Sequence, residues 1–419
     1  MNALKIILVI AWRNLWRNRR RTLLTAGTVA LGLGLLLVFL GIGDGSHRQM
    51  IQSAVRLGSA HLAAQARGFQ ARGGIERTLS EAQVARFSSW VQSHKKDLGI
   101  TYVLPRVFAS GLASSADGAT GVRVIGLDPG PERAASSFDE KLIAGRFLTS
   151  AEGSGAVIGE GVARKLELQP GEKFVLMAQA AGSAEIQSIL LRVAGIMRTG
   201  LEDFDQATIL ISLPTAQQLL RLGNSLHQVA IMLDQLDNAE AAARRAKEDL
   251  PSDVEVLSWL ELMPELRDFI KIDSGGSYVF NSLFFLIIAF LVANTLLMSV
   301  LERRREFALL DALGFTPVRR FLLVIFEASW IAILSVAAGT ALGYAGHLYF
   351  YHKGLPLDLF YSSDVSAGGA VIDPVLYSYL AWTRVATAAG LVFALTFLLA
   401  LLPAWQGAKG QDAHLLGQV

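Results

Sequence analysis

Four stretches of the chain are apolar almost without interruption, and one long stretch between the first two is not. Residues 22–43 form an uncharged run of 22, residues 274–301 one of 28, and residues 385–408 one of 24. Residues 321–351 are apolar apart from Glu327 and His347. About 20 apolar residues cross the hydrocarbon as a helix, so each run predicts a membrane span. Residues 44–273 mix short β-branched runs with amphipathic segments. Strands are predicted at 121–127, 155–160, 173–178, 189–197, 207–212 and 227–233. Helices are predicted at 160–166, 213–222 and 237–250, the last with Asp237 as N-cap. Apolar residues persist beyond the first span at Met50, Ile51, Ala54 and Val55. Before the second span, Trp259, Leu262, Met263, Leu266, Phe269 and Ile270 keep helical spacing, with Pro264 at a first turn or a kink. The pattern predicts an α+β membrane protein: four spans and a mixed α/β head raised on two helical stalks.

Composition agrees. The chain is 52% hydrophobic and 18% charged, where roughly a quarter charged is usual for soluble domains. Residues 44–273 carry 24 basic and 28 acidic side chains, a water-soluble balance. Residues 1–21 hold six basic residues and no acid, and residues 302–320 hold five basic and three acidic ones. The positive-inside rule therefore puts both termini and the 302–320 loop in the cytoplasm and the head outside. The first run is longer than a signal-peptide core and lacks a small-x-small exit, so an uncleaved anchor is expected. The predicted organisation is a cytoplasmic amphipathic helix (1–21), span one (22–43), the head with its stalks (44–273) and span two (274–301). A cytoplasmic loop (302–320), span three (321–351), an outer loop (352–384), span four (385–408) and a cytoplasmic tail (409–419) follow.

The segment with the densest chemistry is "ERRREFALLDALGFTPVRR", residues 302–320. A helix here places Phe307, Leu310 and Leu313 on one stripe, and Gly314 suits its left-handed end, with Pro317 blocking continuation. Two readings stand on pattern alone: a helix lying on the headgroups, or one docking into a groove on a cytoplasmic partner. Asn294 is expected to hydrogen-bond between spans, and Gly339 and Gly343 to allow close helix contact. Glu327, near Arg319 and Arg320, is expected in an interfacial ion pair. Asp203 and Asp205 are expected to face water. The chain has no cysteine, and no metal site is predicted from its histidines. It also lacks G-x-x-x-x-G-K-[ST] and any nucleophile elbow, so it is not itself expected to be an enzyme. The arginines at 17–21 read as a topology signal, not as nucleic-acid binding.

The stretch "VANTLLMSVLERRREFALLDALGFTPVRRFLLVIFEA", residues 292–328, resembles the signature of the FtsX-like permease family, mechanotransmission subunits of ABC transporters that include the MacB, LolC and LolE types. Asn294, Arg305, Glu306, Ala312, Leu313, Gly314, Arg319, Arg320, Glu327 and Ala328 match its pattern. Phe307 and Phe315-Thr316-Pro317 depart from it. Residues 145–148, 155–176 and 191–220 resemble the family's MacB-like periplasmic core domain, and "PAWQGAKGQDAHLL" its C-terminal ending without the usual proline. The resemblance implies a coupling helix, with Arg304, Arg305, Glu306, Phe307, Leu310, Leu313 and Gly314 contacting a separate ATPase. It implies two ATPase copies binding ATP and magnesium, a second permease protomer, identical or paralogous, and a bacterial inner-membrane location among lipids. No cofactor is expected in this chain. Outside, it implies release of lipoproteins or export of periplasmic substrates, with a chaperone, fusion protein or lipoprotein as partner. The alternative is an FtsX-like transducer that moves no cargo.

Overall fold

The computed structural model describes residues 3–17, 19–150, 153–312, 314–357 and 365–408. The expected tail 409–419, Leu313 and part of the outer loop lie outside the described residues, as do the side chains of Arg304 and Arg305. The chain divides into two units: Met1–Arg48, Ile272–Leu359 and Pro374–Val419 form one; Gln49–Lys271 and Phe360–Asp373 form the other.

The second unit, the head, is built on a ten-stranded sheet. Its strands are β1 (Leu62–Ala66), β2 (Ile100–Ser114), β3 (Ala119–Leu127), β4 (Leu142–Gly145) and β5 (Gly155–Gly159). The rest are β6 (Lys173–Gln179), β7 (Ile186–Met197), β8 (Thr208–Ser212), β9 (Gln228–Leu233) and β10 (Val254–Ser258). β2 is long enough to serve two neighbourhoods. Its first half pairs with β9, which continues to β1 and β10, and its second half pairs with β6. Since β3 joins β8, β8 joins β5, β5 joins β7 and β7 joins β6, the pairings β2-β3-β8-β5-β7-β6 close on themselves. Closure removes edges that would otherwise recruit another strand.

Period-2 alternation sorts the side chains. Val122 and Val124, Phe174 and Leu176, Leu191 and Val193, and Ile209 and Ile211 share one buried cluster. Ile125, Val157 and Leu210 face the other way, onto Phe138 and Phe147. All six predicted strands form. β1, β2, β4 and β10 were not predicted: "LAAQA" has helix-forming composition, Pro105 and Gly111 interrupt β2, and β4 and β10 are short. The last predicted helix begins at Ala239 after a 3₁₀ turn, and its N-cap position falls on Asn238 without a side-chain bond, not on Asp237. Asp205 is buried and accepts from the backbone N–H groups of Thr199 and Gly200 and the Thr199 hydroxyl, so it closes a turn and does not face water.

One charged pair lies wholly inside the head. Arg106 is 2% exposed and Glu132 not at all, and they bond through Nε–Oε1 (2.6 Å) and Nη2–Oε2 (3.1 Å). Arg106 Nη1 also donates to the carbonyl of Gly58. Gly58 lies in the π-turn Val55–Ser59 and has φ +120°, a conformation open to glycine. Burying both charges is tolerable because each is paired and bonded.

Among the described residues, four helices are long and apolar enough to span a membrane: Thr22–Ser59, Pro264–Glu302, Pro317–Lys353 and Trp382–Ala408. Helical spacing chooses what each buries: Val29, Leu33 and Leu36 on the first, Ile288, Val292 and Leu296 on the second, Val385, Ala388 and Val392 on the fourth. The third uses glycine. A Cβ on Gly343 would lie 2.7 Å from Leu37 Cβ, and one on Gly339 would lie 2.9 Å from the Ala30 carbonyl oxygen. These glycines let the first and third spans approach backbone to backbone.

The loop between the second and third spans

The candidate functional site is the charged loop. Its helix, Arg304–Ala312, starts one residue past the end of the second span and is followed by Gly314 at φ +84°. The Gly314 N–H donates to Asp311 O and the Phe315 N–H to Leu310 O, which satisfies the last carbonyls. Thr316 then caps the third span through its hydroxyl and Pro317 supplies the first turn.

The apolar stripe of this helix faces inward. Phe307 is 5% exposed and clusters with Val300, Val324 and Ala404, with Gly407 beside its ring. Leu310 is half-buried, against the same cluster and against Ile7, Ala11 and Leu323. The stripe thus anchors the loop helix. What it presents outward is Leu309 (55% exposed), Asp311 and Ala312, followed by Gly314 and Val318 (66% exposed).

Charged groups fix the helix in place. Arg303, in the turn before it, donates from Nε to Glu306 Oε2 (2.7 Å) and from Nη1 to Glu327 Oε2 (2.6 Å). Asn14 on the N-terminal helix Ala3–Arg17 donates to the other oxygen, Glu327 Oε1 (2.6 Å), and Arg17 bonds Glu306. The guanidinium of Arg303 also lies 5.6 Å from the Phe307 ring centroid. Arg303 and Glu327 are only 11% and 12% exposed, so the pair works in a medium of reduced dielectric. Partial burial acts to raise the pKa of Glu306, but Arg303 and Arg17 outweigh it and hold the carboxyl below its ordinary value.

Glu327 was expected to pair with Arg319 or Arg320. Seven residues along a helix is about 10 Å, and its partners are instead Arg303 and Asn14. Arg320, buried at 3% exposure, bonds Asp311 (3.2 Å), while Arg319 is exposed. Asn294 makes no hydrogen bond among the described residues and lies on an exposed face of the second span. Sequence reasoning missed Arg303, Asn14 and Arg17. The Arg303–Glu306 spacing of three was a readable signal, whereas the two partners on the N-terminal helix are more than 280 residues away.

Family models agree with this architecture. The MacB-like periplasmic core domain matches residues 22–249, more than half of the chain, and the FtsX-like permease C-terminal domain matches residues 278–411. The chain belongs to the FtsX-like permease family, with a MacB-like periplasmic core domain. It is an ABC transporter permease of the LolC/MacB/FtsX type. LolC of Neisseria meningitidis serogroup B, a lipoprotein-releasing system transmembrane protein, is 24% identical over 77% of this chain and 76% of its own length. LolC of Xylella fastidiosa strain Temecula1 is 19% identical over 93% of this chain and 91% of its own. The crystal structure of the periplasmic region of MacB from Actinobacillus actinomycetemcomitans aligns over 48% of this chain and 91% of its own, at 13% identity and a TM-score of 0.33.

Proposed function

We propose that this permease transmits the work of a separate ABC ATPase from the 302–320 loop to the head, and that the work is release of lipid-anchored proteins from the bacterial inner membrane. The carrying observation is the clamped loop helix, whose Arg303, Glu306 and Glu327 network joins it to the third span and the N-terminal helix. A helix held this firmly moves with the spans, so force on its outer face is passed on instead of absorbed. The docking face in this reading is Leu309, Ala312 and Val318, with the Phe307–Leu310 stripe as its anchor. Lys and Arg distribution puts that face in the cytoplasm, with both termini, and the head outside. The helices running past the apolar runs act as stalks. ATP and magnesium belong to the ATPase. LolC relatives along three quarters of the chain favour lipoprotein release over export.

The test is twofold. Leu309→Asp with Val318→Asp is expected to remove ATPase co-purification and to stop release of acylated lipoproteins from spheroplasts. Ile186→Asp, an equally exposed apolar-to-acid change in the head, controls for general damage. Retained co-purification and release in the double variant would refute the reading.

A further inference from the structure

The N-terminal helix Ala3–Arg17 is apolar on two sides. One side, Ile7, Ala11 and Leu15, is buried, and Ile7 and Ala11 pack on Leu323. Leu323 stands just inside the start of the apolar run 321–351, so the helix lies at the depth where hydrocarbon gives way to headgroups. The other side is open: Val9 is 56% exposed, Trp16 48% and Trp12 37%. Trp12 is held edge-on to Trp16 (5.9 Å between ring centroids) and to Trp330 (4.9 Å). Lys5 extends the same row, because residues 5, 9, 12 and 16 follow the helical repeat and share one face. Arg13 borders the row, and Arg19 and Arg20 begin the helix that follows. Among the described residues, Lys5, Arg13, Arg19 and Arg20 are exposed and bond no carboxylate, unlike Arg17, which is engaged with Glu306. Residues 1–21 contain no acid to neutralise them.

We infer that this face is a binding site for anionic phospholipid in the leaflet it borders, with Trp12 and Trp16 at the headgroup boundary and Lys5 and Arg13 on phosphate oxygens. The mixture of rings and cations in one row chooses the occupant. A leaflet boundary satisfies both at once: tryptophan rings settle at headgroup level, and long basic side chains reach from there to the phosphates. The free cations choose the lipid. Each one at the surface favours an anionic over a neutral headgroup by roughly fivefold. The inference requires only that the apolar helices cross a membrane; it does not depend on ATPase docking or on the cargo.

The test uses the full chain, purified in a neutral detergent and offered equal amounts of phosphatidylglycerol and phosphatidylcholine. Native mass spectrometry counts the lipids retained, and a photoreactive phosphatidylglycerol reports where they sit. The expected result is a several-fold preference for phosphatidylglycerol, with the label mapping to residues 4–20. Lys5→Gln with Arg13→Gln is expected to lower that preference several-fold, while Lys5→Arg with Arg13→Lys keeps it. The arginines at 17 and 19–21 remain in both variants, so the charge signal for topology is preserved. Lys95→Gln with Lys96→Gln, which removes two exposed cations of the head, should leave the preference unchanged. Equal retention of the two lipids, a label confined to other segments, or an unchanged preference in the Lys5→Gln, Arg13→Gln variant overturns the inference. Loss of ATPase co-purification from that variant with its lipid preference intact would assign the face to a protein and overturn it equally. Retained ATPase co-purification in the Leu309→Asp, Val318→Asp variant, with lipid preference intact, would count against the transporter reading and leave this one standing.

Discussion

Glu132 and Glu327 are both carboxylates facing an arginine, but their environments set different consequences. Glu132 and Arg106 are sealed in the head. Glu132→Gln leaves a buried guanidinium without a counter-charge, and about 3 kcal/mol or more of head stability is expected to be lost. Glu327→Gln keeps a hydrogen bond from Asn14 but not the charge, and a smaller loss, about 2 kcal/mol, is expected. Thermal unfolding of the purified chain should rank the two in that order. His61 gives a pH signature. It is buried, the Leu233 N–H donates to its Nδ1, and burial pushes its pKa from 6.5 to about 4 against the pull of Asp234. Between those values the unfolded chain binds a proton that the folded head does not. Head stability is therefore constant above pH 6.5 and falls as pH drops towards 4, by about 2 kcal/mol at pH 5 and about 3 kcal/mol in full. Amide exchange at Leu233 should accelerate accordingly, and His61→Asn should flatten the profile, with buried His227, also held low, supplying the residual slope. None of these pairs was readable beforehand. Arg106 and Glu132 lie on different elements, and a lone histidine on a short polar segment carries no signal of burial.

At the scale of elements, the spans and six of the ten strands could be read directly, because apolar run length and β-branched content decide them locally. β1 and β10 needed the sheet itself: "LAAQA" is extended only because β9 and β10 flank it on both sides. The loop helix was found at the right place, and of its expected stripe Phe307 and Leu310 lie inward while Leu313 is outside the described residues; that inward direction depends on the fourth span and the N-terminal helix, far away in sequence. The G-x-x-x-G of the third span makes a sharp prediction. Gly343→Ile drives a side chain into Leu37, and about 1–3 kcal/mol of destabilisation is expected. Leu37→Ala in the same chain should restore part of it. An unchanged melting temperature for Gly343→Ile would mean that the two spans do not meet there.

At the scale of the molecule, composition and charge predicted a membrane unit and a water-soluble head, and the fold has two compact units, with four helices among the described residues long and apolar enough to span a membrane. The purpose of the arrangement rests on the loop. A single cysteine can decide it, since the chain has none of its own. Crosslinking from Leu309→Cys, with Phe307→Cys as the buried comparison, should capture an ATP-binding protein at 309 and nothing at 307. An ATPase captured at 307 and not at 309, or at neither, would contradict the outward docking face and the route by which force is proposed to enter.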